Sequence, residues 1–191
     1  MKRNTTGQWD SDDQAAVHNM ASVYVAASND VWLVLLSAAA PDAQVTYAYM
    51  LFFNNAKALN KNYDGTRDGL PPMARTTIDA AFGKVPSSFK VFGLTTHQHR
   101  LGTGVTVAKS SGISDAGNSL FINTDWEHPA LFRLPDDQPL LFGEGEGLRW
   151  SCEYNNTTGN YVKFGESGLT DEMCIIWGYY YPSGGFQVYW N

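Results

Sequence analysis

Long apolar segments are absent from this sequence, and no run approaches the roughly 20 residues that cross a bilayer as a helix. The basic start of the chain is followed by no apolar stretch, so it does not resemble a signal peptide. We therefore expect no transmembrane segment. We also expect either the mature or trimmed form of an exported protein or a chain that is made without export.

Positive charge is scarce as well. The 13 Lys and Arg residues stand against 19 Asp and Glu residues, which gives a formal net charge of −6 at pH 7. Nucleic acids and anionic lipid surfaces attract proteins through clustered Lys and Arg side chains. The composition therefore argues against a nucleic acid or an anionic membrane as the partner.

The sequence also lacks any long segment in which apolar residues recur with the 3.6-residue period of a helix. Short apolar and β-branched segments instead alternate with turns rich in Gly, Pro, Asn and Asp, and aromatic residues make up 14% of the chain. This pattern predicts an all-β fold, an antiparallel jelly-roll β-sandwich. We expect residues 1–16 to form a flexible lead-in and residues 17–191 a single domain, with its first strands at residues 18–27, 31–37 and 44–53.

Cysteine is nearly absent, because the chain has only Cys152 and Cys174. Two cysteines permit one intramolecular pairing. A disulfide between them would indicate an oxidising compartment. The alternative is a pair of buried free thiols, which their spacing does not exclude.

Residues 88–108 carry the most informative pattern, a His-x-His pair formed by His97 and His99. Read as one continuous strand, this segment sends both imidazoles to its more apolar face. Two imidazoles on one face can chelate a copper, zinc, iron or nickel ion. The alternative is a pair of histidines whose hydrogen bonds are satisfied within a sheet.

Residues 169–181 show a second alternating pattern, in which Met173, Trp177 and Tyr179 share one strand face and Cys174 lies on the other. A single methionine on a strand is usually core filler, because its flexible thioether packs well. If Met173 faces the two histidines, however, two imidazoles and a thioether form a donor set that suits Cu(I).

Four separated blocks of the sequence, in this order, resemble the C-terminal copper domain of the copper type II ascorbate-dependent monooxygenases. This family includes dopamine β-monooxygenase and peptidylglycine α-hydroxylating monooxygenase. The resemblance is clearest over residues 85–182. The blocks are His97-Gln98-His99-Arg100-Leu101-Gly102, Cys152-Glu153-Tyr154-Asn155-Asn156-Thr157, Asp171-Glu172-Met173-Cys174 and Tyr180-Tyr181-Pro182.

The resemblance implies a catalytic site in which His97, His99 and Met173 hold one copper ion. It implies dioxygen or peroxide as the oxidant, hydroxylation of a C–H bond in a small-molecule substrate, and ascorbate or another external reductant. It also implies a disulfide between Cys152 and Cys174, and hence a secreted or periplasmic protein.

The chain departs from the family's pattern in its substrate-binding positions. Peptide-amidating members anchor the substrate carboxylate through an Arg two residues before the first ligand histidine and through Asn and Tyr just after the Met-Cys pair. Those positions hold Thr95, Ile175 and Trp177 here. With Tyr179, these residues predict an uncharged and partly aromatic pocket instead of a peptide-binding site.

The second departure concerns electron supply. The family's enzymes carry a preceding copper domain with three histidine ligands, but the remaining histidines here are His18 and His128. We therefore expect an electron donor or a second copper domain on another chain. His128 is interpreted either as a fourth ligand or as part of a packed turn, and His18 as structural or exposed.

Three functions stay open on the sequence. The first is a copper monooxygenase that hydroxylates a small uncharged substrate. The second is a non-catalytic copper-binding β-sandwich for storage, delivery or sensing. The third is a metal-free jelly roll that binds ligands through aromatic residues such as Trp126 and Trp177.

Overall fold

The computed structural model describes residues 49–135, 137–181 and 187–190. The described residues form eleven strands and one short helix. They are β1 (Tyr49–Asn54), α1 (Ala56–Leu59), β2 (Ala74–Thr77), β3 (Ala81–Lys84), β4 (Lys90–His97), β5 (Gly102–Ser110), β6 (Asn118–Asn123), β7 (Phe132–Arg133), β8 (Leu140–Leu141), β9 (Gly147–Asn156), β10 (Ile175–Tyr181) and β11 (Gln187–Trp190).

The strands form two sheets. The first sheet has six strands in the order β11–β1–β10–β4–β7, with β8 also paired to β4. The second has five strands in the order β2–β9–β5–β6, with β3 also paired to β9. The described pairs are antiparallel except for that of β1 with β11. The described chain is thus nearly all-β, as the sequence predicts, and contains no helix long and apolar enough to span a membrane.

Apolar side chains between the two sheets form the core. Phe53 of β1 packs edge-on against Trp150 of β9, with ring centroids 5.5 Å apart. Removal of such side chains from water is the main favourable term in folding. The largest fully buried apolar and aromatic side chains are Trp150, Tyr154, Tyr180, Phe53, Leu51, Leu59, Leu70, Ile78, Leu94, Leu148 and Ile176.

A disulfide joins Cys152 of β9 to Cys174, which directly precedes β10, and so links the two sheets. The two Cα atoms are 5.9 Å apart, within the usual range for a disulfide. The pairing implied by the family resemblance is therefore present, and the free-thiol alternative is wrong.

A β-bulge interrupts β4 at Phe92, which has no opposite residue on β10. One extra residue in a strand reverses the alternation of its side chains. Val91, before the bulge, and Leu94, after it, are both fully buried in the core. The odd-numbered residues after the bulge therefore lie on the opposite side of the sheet, which we call the outer face.

The N-terminal predictions fall outside the described residues. They concern the lead-in at residues 1–16 and the strands at residues 18–27 and 31–37, and they stay predictions, as does the single domain over residues 17–191. The third predicted strand, at residues 44–53, overlaps β1 over the residues that the structure describes.

Candidate metal centre

His97 is the last residue of β4, and His99 lies in the connection that leads from β4 in the first sheet to β5 in the second. The prediction that both histidines lie on one face of a continuous strand is therefore wrong. The chain turns after His97, and the Gly102 N–H closes the turn by donating to the His99 carbonyl oxygen at 2.9 Å. Glycine suits this turn because a Cβ at residue 102 would lie 2.6 Å from the Gln98 side chain.

The turn nevertheless brings the two imidazoles together. The ring centroids of His97 and His99 are 5.1 Å apart, and the ring planes are inclined at 82°. With a metal–nitrogen distance of about 2.0–2.1 Å, the centre of each ring lies roughly 3 Å from a bound ion. The observed separation therefore fits two imidazoles that share one ion.

His97 is held in the form that can bind a metal. Its burial, together with the neighbouring His99 imidazole, lowers the pKa of His97 to about 4. A protonated imidazole has no free lone pair, whereas a neutral one does. The ring is therefore neutral at neutral pH.

The orientation of the His99 ring is fixed by a main-chain group. Its Nδ1 atom lies 2.9 Å from the Asp171 carbonyl oxygen, and the residue is only 7% exposed. Because a carbonyl oxygen can only accept, Nδ1 carries the hydrogen, which leaves Nε2 as the nitrogen that could bind a metal. Hydrogen bonds of this kind commonly orient metal-binding histidines.

Glu172 is a site residue that the sequence interpretation did not single out. Its carboxylate accepts hydrogen bonds from the main-chain N–H groups of His99, at 2.9 Å, and Leu101, at 2.7 Å. Its burial raises the pKa of Glu172 to about 7, although these N–H groups act in the opposite direction. A signal was present in the sequence, because strand alternation places Glu172 on the same face as Cys174 and Ile176, where a charge is unusual.

Met173 follows Glu172 directly and precedes the disulfide-bonded Cys174. Its carbonyl oxygen accepts a hydrogen bond from the Tyr154 hydroxyl at 2.8 Å. It lies two residues before Ile175, the residue opposite His97 in the pairing of β10 with β4. The main chain of the third predicted ligand is thus fixed beside the two histidines.

The four predicted pocket residues share the outer face of the first sheet with His97. Thr95 lies opposite Trp177, and Ile175 lies opposite His97. Tyr179 lies beyond Trp177 on the same strand face, and it is partly buried, which raises the pKa of its hydroxyl. The Thr95 hydroxyl donates to the Ala130 carbonyl oxygen at 3.1 Å. The surface beside the histidines is therefore uncharged and partly aromatic at these positions.

The other histidines do not join this group in the described structure. The His128 side chain is 77% exposed, in a turn where its main-chain N–H donates to Asp125 Oδ1 at 2.9 Å. His18 lies outside the described residues. Within the described ranges, no three or more His, Cys, Asp or Glu side chains are grouped so that they could hold a metal. Met173 carries a thioether and so falls outside those residue types.

The donor set fits copper. Imidazole nitrogens and a thioether are ligands that Cu(I) accepts, whereas Mg²⁺ and Ca²⁺ prefer oxygen ligands. The two carboxylate oxygens of Glu172 are engaged by main-chain N–H groups. The residues predicted as ligands therefore fit a soft metal ion better than Mg²⁺ or Ca²⁺.

Comparison with known proteins agrees with this chemistry. Residues 75–188, more than half of the chain, match the family of the copper type II ascorbate-dependent monooxygenase, C-terminal domain. A tyramine beta-hydroxylase of Caenorhabditis briggsae is 31% identical over 77 residues, which are 40% of this chain and 12% of that protein. The matched part thus spans a small fraction of that relative. The chain belongs to the copper type II ascorbate-dependent monooxygenase family, and residues 75–188 correspond to its C-terminal domain.

Proposed function

We propose that this protein binds one copper ion through His97, His99 and Met173 and hydroxylates a C–H bond of a small uncharged substrate. The observation that carries the proposal is the pair of imidazoles with centroids 5.1 Å apart, one of them fixed by the Asp171 carbonyl oxygen. Membership of a copper-dependent family supports the choice of metal.

Each residue has a separate part in this function. His97 and His99 supply neutral nitrogen donors, and Met173 supplies a thioether that favours Cu(I) over Cu(II). The bound copper would supply the redox chemistry that activates dioxygen or peroxide. Thr95, Ile175, Trp177 and Tyr179 would bind the substrate beside the metal and keep water away from the reacting bond.

The electrons would come from ascorbate or another external reductant, delivered directly or through a second copper domain on another chain. The Cys152–Cys174 disulfide supports a secreted or periplasmic location, because disulfides persist in oxidising compartments. We also propose the jelly-roll arrangement for the two sheets. The crossing from β4 to β5, which moves the chain from one sheet to the other, supports it.

Copper stoichiometry combined with a Cu(I) X-ray absorption spectrum tests the proposal. We expect one copper per chain, with nitrogen scatterers and one sulfur scatterer, and loss of this copper in the double variant His97→Ala/His99→Ala. His128→Ala is the matched control, because His128 is exposed, and it should keep full stoichiometry. Equal copper binding by the double variant would overturn the site.

The proposed thioether ligand has a test of its own. Met173→Ile should weaken Cu(I) binding much more than Cu(II) binding and leave the fold intact, because thioethers prefer the softer ion. Equal Cu(I) affinities before and after the change would remove Met173 from the site. An enzyme and a non-catalytic copper-binding protein would use the same ligands, so metal binding alone cannot distinguish them. Oxygen consumption with ascorbate or peroxide provides that distinction.

A further inference from the structure

Glu172 is a fully buried carboxylate that directly precedes an apolar stretch, Met173 to Ile176. A buried acidic group is costly unless hydrogen bonds compensate it. Glu172 has such bonds, but they are made by main-chain N–H groups and not by a basic side chain. A charged residue that serves only to fill this space would be less stable than an apolar one of the same size.

The two N–H groups belong to residues 99 and 101, in the turn that runs from His99 to Gly102. Glu172 Oε2 accepts from His99, and Oε1 accepts from Leu101. The Leu101 carbonyl oxygen in turn accepts from the Asn155 N–H of β9 at 2.8 Å. The carboxylate thus holds the main chain on either side of residue 100. It therefore also fixes the Cα position from which the His99 side chain extends.

The residue before Glu172 also binds His99: the Asp171 carbonyl oxygen lies 2.9 Å from Nδ1 of the imidazole ring. The residue after Glu172 is Met173. The segment Asp171–Met173 therefore holds the main chain of His99, orients its imidazole and carries Met173 in one continuous piece of chain. These contacts fix the main chains of two proposed ligands relative to each other.

We propose that Glu172 is a positioning residue of the copper centre: its two oxygens hold the His99 turn so that the imidazole and the Met173 thioether meet at one ion. This inference rests on the proposed copper site. Two acceptor oxygens are required, because two N–H groups point at them. An amide side chain has one acceptor oxygen and one donor nitrogen and can satisfy only one of the two.

The test is Glu172→Gln, with Glu144→Gln as the matched control at an exposed carboxyl in the turn between β8 and β9. Copper-free and copper-loaded forms of both variants are compared with the unaltered protein by circular dichroism, Cu(I) affinity and Cu(II) electron paramagnetic resonance. We expect Glu172→Gln to lower Cu(I) affinity about 10- to 100-fold, as losses of supporting groups around metal ligands commonly do. Its resonance spectrum should change to a mixture of species, while Glu144→Gln matches the unaltered protein.

A measurement on the unaltered protein covers the case in which Glu172→Gln does not fold. Amide protons that donate to a carboxylate have characteristic downfield resonances, and those of His99 and Leu101 should keep them when Cu(I) is added. Upfield movement of both on metal addition would mean that Glu172 leaves the turn and binds the ion, which contradicts positioning.

The outcomes separate the two proposals. If the unaltered protein binds copper through the histidines and folded Glu172→Gln is indistinguishable from Glu144→Gln, the positioning role alone is overturned. If the unaltered protein binds no copper at His97 and His99, the proposed function is overturned, and the positioning role with it.

Discussion

The hydroxyl group of Tyr154 donates a hydrogen bond to the main-chain carbonyl oxygen of Met173 at 2.8 Å. Burial raises the pKa of Tyr154 well above its ordinary value of 10.0, so the hydroxyl keeps its hydrogen and remains a donor. Tyr154 lies on β9, in the second sheet, only two residues after Cys152. The main chain at Met173 is thus held from the opposite sheet by a hydrogen bond as well as by the disulfide at its neighbour.

Tyr154→Phe should weaken both the fold and the metal site. The ring is kept and one hydrogen bond is lost, so we expect the free energy of unfolding to fall by about 1 kcal/mol. We expect Cu(I) affinity to fall by up to about fivefold, the factor that corresponds to 1 kcal/mol. Tyr161→Phe makes the same chemical change where the hydroxyl contacts Asp64, away from the site, and should leave Cu(I) affinity unchanged. Denaturant unfolding and competition with a Cu(I) chelator provide the two measurements.

The disulfide should contribute substantially to stability. Cys152 and Cys174 are 22 residues apart, and closing a loop of that size stabilises a fold by about 3 kcal/mol through the entropy of the unfolded chain. The double variant Cys152→Ala/Cys174→Ala should therefore unfold at markedly lower denaturant concentration.

A thiol assay on the unreduced, denatured protein should read near zero. Two reactive thiols per chain would disprove the pairing.

Asn54→Leu should stabilise the protein, whereas most substitutions of buried residues destabilise it. Asn54 is 1% exposed, and its Oδ1 atom has no hydrogen-bond partner in the described structure. Removing an unsatisfied buried amide oxygen should raise the free energy of unfolding by about 1–2 kcal/mol. Asn123→Leu is the control with the opposite sign, since the Asn123 amide donates to Thr96 Oγ1 at 2.8 Å. A loss of stability in both variants would show that the Asn54 amide is in fact paired in solution.

Asp115 should make stability depend on pH in the acid range. Main-chain N–H groups of Ser111 and Gly117 lower the pKa of Asp115 from 3.8 to about 2. A carboxyl whose pKa is lower in the folded state stabilises the fold above its unfolded pKa, and this contribution disappears as pH falls through the folded pKa. Asp115→Asn should therefore be less stable than the unaltered protein at pH 7, and the difference should vanish between about pH 4 and pH 2.

Urea unfolding over that pH range provides the measurement. Glu144→Gln, which also removes one exposed carboxyl, controls for the change in net charge. A difference between Asp115→Asn and the unaltered protein that stays constant down to pH 2 would contradict this role for Asp115.

The ligand candidates could be predicted from the sequence because they depend on residue type and order. The histidines, Met173 and the two cysteines all stand in the four blocks that resemble the family. The structure places the two imidazoles side by side and joins the two cysteines in a disulfide. The all-β class followed from strand-length apolar segments and from the lack of helical periodicity. These inferences need no knowledge of where the chain turns.

The position of the turn could not be predicted in the same way. Strict alternation from Phe89 through His99 assumes one strand, but the bulge at Phe92 shifts the register, and Gly102 permits the chain to cross to the other sheet. Both are tertiary effects, since the bulge depends on pairing with β10 and the turn on contacts with Glu172. Glu172 was missed for a related reason: a charged residue beside Asp171 suggests solvent exposure, whereas its main-chain partners lie more than 70 residues away in the sequence.

Phe92 is the one residue that β4 has in excess of its partner β10. If it were deleted, Val91 and Leu94 would be two positions apart, and regular alternation would keep both in the core. The side of the sheet that His97 occupies is therefore set by the number of residues between Leu94 and His97, and not by the bulge. Among relatives of this chain, a one-residue gap at this position should leave the outer face unchanged, whereas a gap between Leu94 and His97 would turn the histidine toward the core.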